Sequence, residues 1–235
     1  YIYLFNMNRN NSRSSPLYTT PLQFQIIEPR LYRGLYPTEE NLDFLKTLEL
    51  KTIIIVLPEG FDISVETPYY SDFITKNNIT LHQFQGDIKW KKKDKDKSKD
   101  KAKAKEKDKD KDKKSKSKEK ADDNVKRRDK AVGISVEEIV KIIEIVADPN
   151  SYPIFIHDLT NESVTPLIVA IFRKLAYWNL VSIIDEFIAY SGNVNVHERK
   201  FIEEFPMKQI HIENDLIKES DEINSITSWI RRVGI

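Results

Sequence analysis

The sequence predicts an α/β fold of three layers, a mostly parallel central sheet with helices on both faces. Three observations predict it. Lys51 to Leu57 is a continuous, β-branched-rich run closed by Pro58, Glu59 and Gly60, the pattern of a strand covered on both sides. Pro153 to His157 is a second such run, and it passes through a short loop into a helical pattern. Segments with apolar residues at helical spacing lie between the strands, as parallel crossovers require.

In chain order, Phe24 to Ile27 and Leu31 to Arg33 form a short hairpin around Glu28 and Pro29. Thr38, Glu39 and Glu40 start a helix whose apolar face is Leu42, Phe44, Leu45 and Leu48, running to about Leu50. The Lys51 to Leu57 strand follows, then a helix over Pro68 to Lys76 and a strand over Ile79 to Phe84. Ser135, with Glu138 three residues on, is a capping box opening a helix that carries Ile139, Ile142, Ile143 and Val146 and stops at Asp148-Pro149-Asn150. After the second buried strand, a helix from Glu162 to Tyr177 presents Leu167, Ile168, Ile171 and Leu175. Helices over Leu180 to Tyr190 and Val196 to Phe205 complete the domain, with a possible short helix near Asp221 to Arg232.

Composition divides the 235 residues further. Residues 91–130 hold 21 Lys/Arg against 11 Asp/Glu, a net +10, so the remainder of a chain of net charge +1 sums to −9. That tract has almost no apolar residues and cannot offset the entropy of ordering, so it is expected to be a disordered insertion. Its acids cancel about half of its positive charge, which argues against a nucleic-acid clamp. The expected organisation is a flexible leader over 1–20, one domain built from 21–90 and 131–207, and a tail over 208–235. No apolar stretch reaches the roughly 20 residues of a membrane span, and residues 1–11 lack the pattern of a signal peptide. A first residue of Tyr1 reads as a fragment or an odd gene model, with Met7 as a possible true start.

The chain contains no cysteine, which removes disulfides, thiolate metal sites and any cysteine nucleophile. The histidines, His82, His157, His197 and His211, fall in separate elements without metal-ligand spacing, so neither metal nor cofactor is expected. Strand, short loop and helix around His157 form the arrangement of an anion site.

That order, with LYRGLYPTEENLDFLKTLELKTIIIVLPE before it and FRKLAYWNLVSIIDEFIAYSGNVNVHERKFIEEF after it, resembles the fungal and plant atypical dual-specificity phosphatases. More narrowly it is similar to the fungal oxidant-induced cell-cycle-arrest proteins and their tyrosine-protein-phosphatase-like members. The likeness spans about Pro21 to Phe205 outside the charged tract. It implies a phosphotyrosine-phosphatase-like fold, cytoplasmic residence and association with related family proteins, with a phosphorylated protein or an inositol phosphate as possible ligand.

The family signature, His-Cys-x5-Arg-Ser/Thr, falls on His157-Asp158-Leu159-Thr160-Asn161-Glu162-Ser163-Val164-Thr165. Asp158 stands at the nucleophile position and Val164 at the phosphate-gripping arginine position, so the thiolate and the bidentate clamp are both missing. Asn161 stands at the loop glycine position and tolerates left-handed backbone. Pro166 sits just inside the helix, where its missing donor does little harm. The resemblance implies a general acid in the loop after the Ile79 to Phe84 strand, where Asp87 is the candidate; an exposed turn residue is the favoured reading, since without a nucleophile there is no leaving group to protonate. An aspartate accepts phosphoryl groups in metal-assisted enzymes, but Glu162 and Asp87 form no recognisable metal set. The loop therefore reads as degenerate, and the expectation is a catalytically inactive, phosphatase-like binding subunit. The alternative is a tyrosine or inositol pyrophosphate phosphatase of altered or residual activity. Arg173, Lys174 and Trp178 read as a packed indole beside a solvated basic pair.

Overall fold

A computed structural model describes residues 17–87 and 132–210. Most of the leader, the charged tract and the proposed Asp221 to Arg232 helix lie outside the described residues. Five strands form one sheet, β1 (Gln25–Glu28), β2 (Leu31–Gly34), β3 (Thr52–Leu57), β4 (Thr80–Gln85) and β5 (Ile154–His157), in the order β1-β2-β5-β3-β4. Among the described residues, only the β1–β2 pair is antiparallel; β2–β5, β5–β3 and β3–β4 are parallel. The sheet is thus mostly parallel with an antiparallel edge, as the sequence predicts.

The central strand shows why. All six residues of β3 are buried, and successive side chains enter opposite cores. Ile54 and Val56 join the core made with α4 (Val136–Ala147), α5 (Val164–Leu175), α6 (Leu180–Ser191) and α7 (Val196–Glu204). Ile53, Ile55 and Leu57 join the other, with Leu45 of α1 (Leu42–Thr47) and Tyr70, Phe73 and Ile74 of α3 (Pro68–Lys76). A buried aliphatic side chain contributes about 1.5–3 kcal/mol, so one polar residue here would damage either layer.

Local signals set most helix ends. The Ser135 hydroxyl accepts the Glu138 N–H at 3.2 Å and starts α4; Asn195 accepts the N–H groups of His197 and Glu198 at 2.8 and 2.9 Å and starts α7. Pro68 occupies the first turn of α3, where its missing donor does no harm. Besides shifts of one or two residues at several ends, the first helix, the segment after β3 and the start of α5 differ from the sequence reading. The first helix begins as a 3-10 turn, Glu39–Asn41, and ends at Thr47, because Glu49 turns left-handed (φ 51°) to feed β3. A short helix, α2 (Ile63–Glu66), follows β3, capped by Asp62 accepting from the Ser64 N–H at 2.9 Å. α5 begins at Val164 rather than Glu162, since the preceding residues form the loop.

Candidate functional site: the β5–α5 loop

β5 delivers His157 and Asp158 to the C-terminal end of the parallel strands, beside the N-terminus of α5, which is where open α/β sheets place ligands. Asp158 is 1% exposed, and its carboxylate is held by the loop that follows it. Oδ1 accepts the Thr160 N–H at 2.8 Å and also the Asn161 N–H; Oδ2 accepts the Thr165 N–H at 2.8 Å. The side chain thus closes a small ring of backbone donors and caps α5 in the same act.

Asn161 makes this path possible. Its φ of 51° is left-handed, as expected from its place in the motif, and its amide donates to Gln23 Oε1 at 2.9 Å. On two of the residues that hold the carboxylate, Thr165 Oγ1 and Asn161 Oδ1 are buried with no hydrogen-bond partner. Glu162 is exposed and Ser163 half-buried at the helix start, while Leu159 packs against the α1–α3 core. Pro166 lies in the first turn of α5.

Val164 is fully buried, and a glycine explains how. Gly133 adopts φ +83°, and a Cβ there would stand 3.1 Å from Val164 Cγ2. The Gly133 carbonyl accepts the Asp87 N–H at 2.9 Å, so the segment after β4, the return segment at Gly133 and the start of α5 meet beside the loop. Asp87 is therefore near the loop and exposed. Gly133 carried no recognisable signal in the sequence.

His157 is completely buried under the loop, with Nε2 2.8 Å from the Tyr70 hydroxyl and the Tyr36 ring edge-on to it. Burial pushes its pKa down to about 3, so the imidazole is neutral. The same burial raises the Tyr70 phenol well above its usual value and lifts Tyr36 to about 12. His82 is half-exposed on β4 and His197 exposed on α7, away from one another; His211 lies outside the described residues. Among the described residues, no three His, Asp or Glu side chains converge as a metal site would need.

Arg173 and Lys174 are not a solvated pair. Arg173 is 6% exposed and makes a fork to Glu186, Nε to Oε2 at 2.8 Å and Nη2 to Oε1 at 3.2 Å. Its Nη1 reaches the Ile27 carbonyl at 3.1 Å and Glu28 at 3.3 Å, and its guanidinium lies 4.2 Å from the Trp178 ring. Lys174 donates to the Ile202 and Glu203 carbonyls at 2.7 and 2.6 Å, capping the end of α7. A third cation, Arg33 of β2, is wholly buried between Glu186 (3.6 Å) and the face of Tyr190 (3.2 Å). These contacts lock the β1–β2 hairpin to α5 and α6.

The model of the tyrosine phosphatase family matches residues 18–224, nearly the whole chain. The chain belongs to that family. It is 35% identical over 209 residues to the Saccharomyces cerevisiae protein named putative tyrosine-protein phosphatase OCA6, covering 88% of this chain and 79% of that protein. It is 27% identical over 186 residues to the Arabidopsis thaliana inositol diphosphatase DSP2, covering 79% of this chain and 69% of that protein. Its fold matches the core catalytic domain of the S. cerevisiae PP-IP phosphatase SIW14, with a TM-score of 0.60 at 20% identity over 89% of this chain and 99% of that one.

These findings correct the expectation of a catalytically inactive subunit. The relatives are named as phosphatases, and that favours the alternative, altered or residual phosphatase activity. Loss of the cysteine and arginine changes the chemistry open to the loop; it does not establish that the loop is inert. No helix among the described residues is long and apolar enough to cross a membrane.

Proposed function

We propose that this chain is a phosphatase of altered, slow activity whose substrate is the diphosphate of an inositol phosphate. The observation that carries the reading is the Asp158 carboxylate at the nucleophile position, at the focus of three loop N–H donors. It is supported by the inositol diphosphatase names among the relatives. In the proposed step an Asp158 oxygen bonds to the terminal phosphorus while the P–O bond to the inner phosphate breaks, the electron pair leaving on that phosphate. Water then attacks the acyl phosphate, releasing inorganic phosphate and a proton and restoring the carboxylate.

Leaving-group chemistry favours the anhydride over phosphotyrosine. A phosphate monoester leaves as an anion whose conjugate acid has a pKa of about 6, whereas a phenolate, with a conjugate acid of pKa about 10, departs only with a proton supplied to it. Asp87, exposed as it is, is poorly held for delivering that proton. With Val164 in place of an arginine, and the Thr160, Asn161 and Thr165 N–H groups engaged by Asp158, the phosphoryl oxygens lack a clamp until that carboxylate moves, which keeps turnover slow. Cytoplasmic residence and association with related family proteins belong to the same proposal and are supported by the family resemblance.

The test is phosphate release by the purified full chain from inositol diphosphates, phosphotyrosine peptides and para-nitrophenyl phosphate. The expected result is slow release from the diphosphate, at least tenfold lower from phosphotyrosine, and loss of both in Asp158→Ala. No release from any substrate, or release unchanged in Asp158→Ala, would overturn the reading.

A further inference from the structure

The geometry points to an autoinhibited phosphate cradle: we propose that the Asp158 carboxylate is a built-in occupant of the anion site, and that a phosphate group binds only when that carboxylate leaves its loop donors. The inference rests on reading this loop as the phosphate site and adds how the site is regulated.

A carboxylate and a phosphate present the same face to backbone donors, an anionic pair of oxygens that accepts several N–H groups. Here that face is already supplied. The N–H groups of Thr160, Asn161 and Thr165 all end on Asp158, two on one oxygen and one on the other. The occupant is 1% exposed, so solvent does not compete for those donors. A second anion approaching the loop would meet a buried charge and no free donor among these three.

One further atom marks the cradle as unfilled by its occupant. Thr165 Oγ1 belongs to a residue whose N–H holds the carboxylate, and it is buried without a hydrogen-bond partner. A hydroxyl left as an unused donor on a residue that holds the anion is what a larger oxyanion, with one more oxygen than a carboxylate, would take up. The neighbouring groups do not supply a compensating cation: His157 beneath the loop is neutral, and Val164 brings an aliphatic side chain. Moving the Asp158 side chain frees three donors and removes one negative charge together, so the device has two states, closed on itself or open to phosphate.

The experiment compares inorganic phosphate binding to wild type, Asp158→Ala and Asp158→Asn by isothermal titration, with chloride replacing phosphate at matched ionic strength. Each charge-assisted hydrogen bond released to phosphate is worth about tenfold in affinity, so Asp158→Ala is expected to bind at least about tenfold tighter than wild type. Asp158→Asn keeps an acceptor for the loop and α5 while dropping the charge, and it is expected to fall between the two. It decides the matter if the alanine variant does not fold. Equal affinity in wild type and the variants, or no binding to either variant, overturns the inference. Absence of phosphate release by wild type would sink the proposed hydrolysis and leave this binding comparison standing.

Discussion

Glu186→Gln tests whether the cluster joining the hairpin to α5 and α6 is a structural keystone. Glu186 faces two guanidinium groups, Arg33 at 3.6 Å and Arg173 at 2.8 Å, and its side chain is only 14% exposed. Glutamine preserves the shape, and its oxygen still accepts from Arg173, but the charge that balances two buried cations is gone. Arg173 keeps Glu28 at 3.3 Å. Arg33, already with its pKa lowered by burial, keeps the ring of Tyr190. Breaking a buried pair costs about 3–5 kcal/mol, and the surviving Glu28 contact places this substitution near about 3 kcal/mol. That is a large share of a domain stability of about 5–15 kcal/mol. In urea unfolding followed by circular dichroism, with a slope of about 2 kcal/mol per molar, the midpoint should fall by about 1.5 M without a change in slope. A shift below about 0.5 M would mean that the cluster behaves like a surface ion pair and would refute the reasoning. Arg33→Met together with Glu186→Gln should regain part of the loss, because it removes one of the two buried cations left without their counter-charge.

His157 makes stability pH-dependent. Its pKa is about 3 in the fold and about 6.5 when unfolded, so between these values the unfolded chain binds the extra proton. Its contribution is present in full above pH 6.5 and is lost as pH falls towards 3, at up to about 1.4 kcal/mol per pH unit; His157→Gln should flatten that slope in urea titrations from pH 7 to 4. Gly133→Ala combines a left-handed backbone with a 3.1 Å approach to Val164 Cγ2, and it should lower stability by about 1–3 kcal/mol in the same assay. A neutral effect would show that the return segment yields freely at Gly133.

The elements of the site could be read from the sequence because strand and helix signals are local. A β-branched run bounded by Pro58 and Gly60 reports a strand without knowledge of its neighbours, and Ser135 with Glu138 reports a helix start within four residues. The motif His157 to Thr165 was likewise visible as a string, with aspartate and valine at its two working positions. The reading of inactivity is overturned by the relatives, which are named as phosphatases. A motif records which residues are absent, and absence alone does not make a loop inert.

Sequence alone determined that cysteine chemistry is closed to these 235 residues, since that is a statement about composition, and that the chain folds as a layered α/β domain, since periodicity is written residue by residue. Only the tertiary structure decided where charges end up. Arg33, Arg173 and Glu186 come from three separate elements and read as ordinary polar positions until β2, α5 and α6 pack and take them out of water. The same holds for Asp158. Its consequence depends on the three backbone donors turned towards it, and those directions exist only once Asn161 bends the loop and α5 begins at Val164.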